Sequence, residues 1–113
     1  MPFIDCKISK RLADEQKERL KCALGSAITA MHKPESYLMI GIADGYDLWF
    51  GGKKLNDGAF VDIRAFGGVT RADCEKMTAA VCSALSSCAS ISAEGVYITY
   101  QGYENWGWNG GNY

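Results

Sequence analysis

The period of the apolar residues changes from two to about 3.6 and back again, and the chain then runs through that sequence of changes a second time. Ile4, Cys6 and Ile8 alternate with Phe3, Asp5 and Lys7, which predicts a strand with two unlike faces. From about Ala13 to Met31, Leu20, Leu24, Ala27, Ile28 and Met31 recur at helical spacing, with Lys17, Glu18 and Lys21 opposite them. That helix must stop by Lys33, because Pro34 disfavours helical geometry in the residue before it. Tyr37 to Ile42 then reads as a strand whose Leu38, Ile40 and Ile42 share a face.

Asp44-Gly45 is a turn signal, Leu48-Trp49-Phe50 a short extended piece ended by Gly51-Gly52, and Lys53 to Gly58 a polar loop. The plan then repeats. Phe60 to Phe66 alternates, with Val61, Ile63 and Ala65 on one face and Asp62 and Arg64 on the other. Thr70-Arg71-Ala72-Asp73 resembles a capping box opening a helix with the stripe Met77, Val81, Ala84, Leu85 and Cys88. A strand follows at Val96 to Tyr100, and the aromatic, glycine-rich tail runs from Trp106 to Tyr113.

Two such strand–helix–strand units, offset by about 59 residues, have the size of βαβ units with right-handed crossovers. The expected fold is α/β: a four-stranded sheet with two helices on one face, formed by residues 1–113 as a single domain. Small residues of the second helix (Ala79, Ala80, Ser83, Ala84, Ser86, Ser87) would let it lie close to the strands. The other sheet face, with Tyr37, Met39, Tyr97, Thr99, Asp62 and Arg64, is left uncovered, and the sheet has two free edges. Such a face predicts self-association. A monomer with its tail folded over the sheet is the alternative.

Several functions are disfavoured. A net charge of −1 offers no field for a phosphate backbone, so no nucleic-acid partner is expected. No apolar run reaches the length of a membrane span, and the start MPFIDCKIS lacks the basic head and apolar stretch of a signal peptide. A cytoplasmic location follows. The 5 cysteines form no Cys-x-x-Cys pair and accompany only 1 histidine, so they read as buried free thiols rather than disulfides or a metal site. No Gly-x-Gly-x-x-Gly, phosphate loop or His-Glu-x-x-His occurs, and no cofactor is expected.

The candidate chemistry lies at the start. Loss of Met1 would leave Pro2 as a secondary amine at a strand end. Buried beside a cation, that amine would lose proton affinity and become a general base. Taken alone, Met1-Pro2 is an ordinary beginning. Lys33, after a helix and before Pro34, is the candidate cation; a surface lysine complementing the helix C-terminus is the alternative. His32 reads as an exposed polar residue, and the tail's tryptophans as a pocket wall.

Together, Met1-Pro2-Phe3-Ile4, Lys33-Pro34-x-x-Tyr37, Phe50-Gly51-Gly52, Val96-Tyr97-Ile98-x-Tyr100 and Trp106-Gly107-Trp108-Asn109-Gly110 resemble the macrophage migration inhibitory factor family of the tautomerase superfamily, over essentially the whole chain. The resemblance implies a homotrimer with pockets between subunits and a keto–enol tautomerase of the phenylpyruvate or dopachrome type. Pro2 would be the catalytic base and Lys33 would hold the carboxylate of a small aromatic α-keto acid. The Phe66 amide would add a hydrogen bond, and Tyr37, Trp106, Trp108 and Tyr113 would wall the pocket. Tyr97 and Thr99 would come from the next subunit. The family also implies an alternative, a cytokine-like protein exported without a leader, with a cell-surface receptor as partner.

Three departures stand out. Position 99 is threonine where mammalian members carry asparagine. Gly58-Ala59-Phe60-Val61 replaces their Cys-x-x-Cys, so thiol–disulfide activity does not carry over. The tail before Trp106 is shorter.

Overall fold

The computed structural model describes residues 1–113. The chain forms β1 (Pro2–Ile8), α1 (Asp14–Ala27), β2 (Met39–Ala43), β3 (Trp49–Phe50), β4 (Lys53–Lys54), β5 (Ala59–Phe66), α2 (Arg71–Ala89), β6 (Val96–Tyr103), β7 (Gly107–Trp108) and β8 (Gly111–Asn112). The main sheet has the order β2-β1-β5-β6. Each βαβ unit pairs its own strands in parallel, β1 with β2 and β5 with β6, while β1 and β5 join the units antiparallel at the centre.

The predicted two-unit α/β architecture is present. Every second residue of β1 and β5 is buried, so Ile4, Cys6, Ile8, Val61, Ile63 and Ala65 point to one side. Leu20, Leu24 and Ile28 from the first helical segment, and Met77, Val81 and Leu85 from α2, meet them there. Each fully buried side chain of this size contributes about 1.5–3 kcal/mol. No helix is long and apolar enough to cross a membrane.

Local expectations differ in instructive ways. The first helix tightens to a 3-10 turn over Ile28–Met31 and ends at His32, whose φ of 58° turns the chain before Pro34. Tyr37 is not in a strand: Glu35–Tyr37 is a 3-10 turn, and β2 begins at Met39. The polar loop from Lys53 contains β4, which pairs with β3 as a hairpin. The tail is a hairpin too, with Asn109 and Gly110 both at positive φ, the geometry of a tight two-residue turn. Thr70 caps α2 by accepting from the Asp73 amide. Of the six small residues expected to approach the strands (Ala79, Ala80, Ser83, Ala84, Ser86, Ser87), Ala84 alone is buried, and Met77, Val81 and Leu85 make the contact with the sheet. Cys22 is exposed on α1, against the expectation of buried thiols, whereas burial pushes the Cys6 thiol up to about 12.

The two central strands are near copies. Phe3-Ile4-Asp5-Cys6-Lys7 and Phe60-Val61-Asp62-Ile63-Arg64 have the same order of residue types and pair antiparallel, with Asp5 opposite Asp62. Like charges directly opposite one another repel. Lys7 and Arg64 offset this on the uncovered face: Lys7 Nζ is 2.7 Å from Asp5, and Arg64 is 2.8 Å from Asp62 and 4.0 Å from Asp5.

Candidate active site

Pro2 opens β1 on the helix-facing side and is fully buried. The Met1 carbonyl before it accepts a hydrogen bond from the Phe66 amide at 3.0 Å. Lys33 Nζ donates to the Phe66 carbonyl at 3.1 Å. One residue of β5 therefore ties the chain start to the lysine. Lys33 is half-buried here rather than complementing the end of α1. Burial first, and the nearby Lys33 ammonium second, lower the pKa of the Met1 terminal amine from its ordinary value.

Gly102 and Gly67 set the place of Phe66. A Cβ at Gly102 would collide with the Gly67 carbonyl, and only that close approach lets the Gly67 amide reach the Tyr103 carbonyl at 2.9 Å.

The aromatic residues form a connected wall. Tyr37 meets Trp108 edge to face at 5.9 Å, Trp108 stacks on Tyr113 at 6.4 Å, and Tyr113 lies 5.6 Å from Phe66. Such pairs contribute about 0.5–1.5 kcal/mol each beyond their buried area. The tail hairpin delivers them: its ends close through the Tyr113 amide and Trp106 carbonyl at 3.0 Å. A cavity of about 400 Å³ lies under this wall, lined by Met1, Pro2, Tyr37, Trp106 and Trp108 among others. Lys33 and Phe66 border the start of the chain rather than lining that cavity. His32 is exposed and sits 3.3 Å from Asp73 at the start of α2.

Pro2, Lys33, Phe66, Tyr37, Trp106, Trp108 and Tyr113 are thus gathered at one end of the sheet. Tyr97 and Thr99 are not. Tyr97 packs on Phe50 at 5.2 Å, and Thr99 bonds to Asp62 on the open sheet face. Phe3, Ser36, Leu38 and Met39 also line the cavity and were missed. Strand alternation turns Phe3 to the face opposite Pro2, so the local pattern gave no signal of its place in the same lining. Met39 has none of its own, since it reaches the site by lying opposite Phe3 in the β1–β2 register.

A family model described as macrophage migration inhibitory factor matches residues 1–113. No curated protein sequence matches the chain. Among solved structures, that of MIF2 from Leishmania major superposes with a TM-score of 0.91 at 28% identity, covering 100% of this chain and 97% of that one. The macrophage migration inhibitory factor-like protein of Entamoeba histolytica gives a TM-score of 0.84 at 23% identity, over 99% of this chain and 98% of that one. A native fused 4-OT gives 0.86 at 13% identity, over 97% and 94%, a likeness of fold.

Proposed function

Because the chain belongs to the macrophage migration inhibitory factor family, we propose that it is a keto–enol tautomerase that uses the Pro2 nitrogen as general base once Met1 is removed. The observation that carries this reading is the meeting of the chain start, Lys33 and Phe66 beside an aromatic cavity, where the Met1 amine, one residue before Pro2, already has lowered proton affinity. Lowered proton affinity enlarges the neutral fraction of an amine at a given pH, and a neutral amine can accept a proton.

Removal of Met1 does two things. It exposes the Pro2 nitrogen, and it takes away the carbonyl to which the Phe66 amide is bonded. That amide becomes a free donor next to the base. With an aromatic α-keto acid such as phenylpyruvate bound, Pro2 takes a proton from the carbon beside the keto group. The C–H electron pair becomes the enol double bond, and the proton returns to the oxygen. Lys33 holds the carboxylate and, with the Phe66 amide, stabilises the negative charge that develops on oxygen. Tyr37, Trp106, Trp108 and Tyr113 exclude water and keep the amine uncharged.

The exposed face supports a homotrimer with shared sites. Met39, Trp49 and Tyr97 are 69%, 63% and 60% exposed in the single chain, and the edge strands β2 and β6 are unpaired outward. A neighbouring copy packed there would carry its own Tyr97 and Thr99 to the Pro2 cavity.

The test is tautomerisation of phenylpyruvate by protein whose first residue is verified by mass spectrometry, alongside Pro2→Gly, with light scattering for assembly. Activity in the wild type and a loss of about 100-fold in Pro2→Gly are expected. An inactive, correctly processed wild type, or an equally active Pro2→Gly, overturns the reading.

A further inference from the structure

The hydroxyl of Thr99 has its proton committed. Thr99 Oγ1 donates to Asp62 Oδ1 at 2.7 Å across the β5–β6 register, where the two residues are direct partners. The other carboxylate oxygen accepts from Arg64 Nε at 2.8 Å, and Arg64 in turn lies 4.0 Å from Asp5, which is paired to Lys7. Burial raises the Asp62 pKa, but the bonds from Thr99 and Arg64 outweigh it and the net shift is downward. Asp62 is therefore ionised at neutral pH, and an ionised carboxylate only accepts hydrogen bonds. A threonine hydroxyl has one proton and two lone pairs. With the proton given to Asp62, only the lone pairs remain on offer, on a residue that is exposed on the open face.

We propose that Asp62 is a specificity-determining positioning residue: by accepting the hydrogen bond of the Thr99 hydroxyl it leaves that hydroxyl only its lone pairs to offer, so the shared site selects ligands that present a hydrogen-bond donor there, such as a phenolic hydroxyl, over those that present only an acceptor. This rests on the reading that Thr99 faces the Pro2 cavity of a neighbouring copy. Side-chain identity at position 99 does not decide the polarity; the carboxylate beneath it does. An isolated threonine would turn its proton to either kind of ligand. Here, turning it would strip the Asp62 carboxylate of one of its two donors while its neighbour Asp5 carries the same charge.

The probes are 4-hydroxyphenylpyruvate and 4-methoxyphenylpyruvate, and the unreactive 3-(4-hydroxyphenyl)propanoate and its 4-methoxy counterpart. The readouts are the ratio of kcat/KM within the first pair and the ratio of Kd, by calorimetry, within the second. Wild type should favour the hydroxyl member about tenfold in both pairs, because a site built to accept from a hydroxyl rejects an analogue without the proton. Thr99→Ser should retain the preference. Thr99→Val should bring the ratio close to that set by size alone. Asp62→Asn, whose amide can itself donate to Thr99, should release the threonine proton and lower the ratio as well. Ratios unchanged in Thr99→Val and Asp62→Asn overturn the proposal, as does a wild-type ratio at or below one, which needs no variant. Tautomerisation without discrimination sinks this inference and leaves the proposed function standing. Discrimination between the propanoates by a protein that tautomerises neither keto acid does the reverse.

Discussion

The two halves of the chain share a plan and finish it differently. At one end of the central pair, the Phe66 amide bonds to the Met1 carbonyl at 3.0 Å; at the other, the Ser9 amide bonds to the Gly58 carbonyl at 2.9 Å. These are the same ladder bond in the two repeats. His32 and Ser90, with φ of 58° and 55°, end the two helical segments alike. The next residue is Lys33 in the first half and the buried Ile91 in the second. Tyr37 closes one 3-10 turn and Gly95 the other, and Gly95 packs directly on the backbone of Asp57 and Gly58. The cavity beside Pro2 measures about 400 Å³; its counterpart beside Ala59 measures about 80 Å³. One architecture thus supports either a site or a seal. The choice falls to whether the strand begins the chain and whether the following positions are filled by backbone and apolar side chains.

Exchanging the features of the two ends should break this comparison in graded steps. The largest effect belongs to Ile91→Lys, which places a charge where the second half is sealed and lacks a partner. A loss of about 3–5 kcal/mol in denaturant unfolding is expected. The reciprocal Lys33→Ile should stay within about 1 kcal/mol, since that site is only half-buried. Comparable costs at both positions would show that the ends are not different in kind.

An alanine inserted between Met1 and Pro2 makes the first half imitate the second, with an amide nitrogen at the strand start. A fall in kcat/KM of about 100-fold or more is expected with little change in melting temperature. Activity preserved in a variant verified by mass spectrometry would remove Pro2 from the mechanism.

Gly95→Ala probes the seal. The added Cβ would sit 2.7 Å from the Asp57 carbonyl oxygen, so a loss of about 1–3 kcal/mol is expected on chemical denaturation. At the matching position Tyr37→Ala forfeits the contact with Trp108 and creates no clash, and should cost less.

Lys33→Met is the mildest change and the most specific. KM for a carboxylate substrate should rise about tenfold while kcat changes less. The base must be neutral to act, so kcat/KM rises with pH through the amine pKa and levels off above it. Burial and Lys33 lower the pKa of the Met1 amine; if Lys33 acts in the same way on the Pro2 amine exposed by Met1 loss, removing it should move the rising limb to higher pH. Burial remains, so the limb should stop short of the ordinary α-amino range of about 7.7–8.0. A limb that stays in place would deny Lys33 its electrostatic role.

Much of the core was legible because it depends on local periods. Ile4, Cys6 and Ile8, and likewise Val61, Ile63 and Ala65, occupy the buried face that alternation assigns them. Leu20, Leu24 and Ile28 behave in the same way at helical spacing. Asn109-Gly110 carried a usable hairpin signal that the reading of an aromatic, glycine-rich tail did not use. Gly51-Gly52, also both at positive φ, carried another. Tyr37 was misplaced because an apolar run says nothing about where a 3-10 turn gives way to a strand. The connected aromatic wall was legible only as a set of residue types. Its order, Tyr37 to Trp108 to Tyr113 to Phe66, depends on how a hairpin at the end of the chain folds back.

By itself the sequence determined which face of each strand and helix is buried and that the plan occurs twice. Side-chain direction repeats every two or 3.6 residues whatever the rest of the chain does. Only the tertiary structure decided that β1 and β5 run antiparallel at the centre, that Asp62 accepts the hydrogen bond of the Thr99 hydroxyl, and that Met1 and Phe66 share a bond. Those contacts join residues far apart in the chain. They arise only when the packing of both halves brings their backbones into register, which no local period encodes.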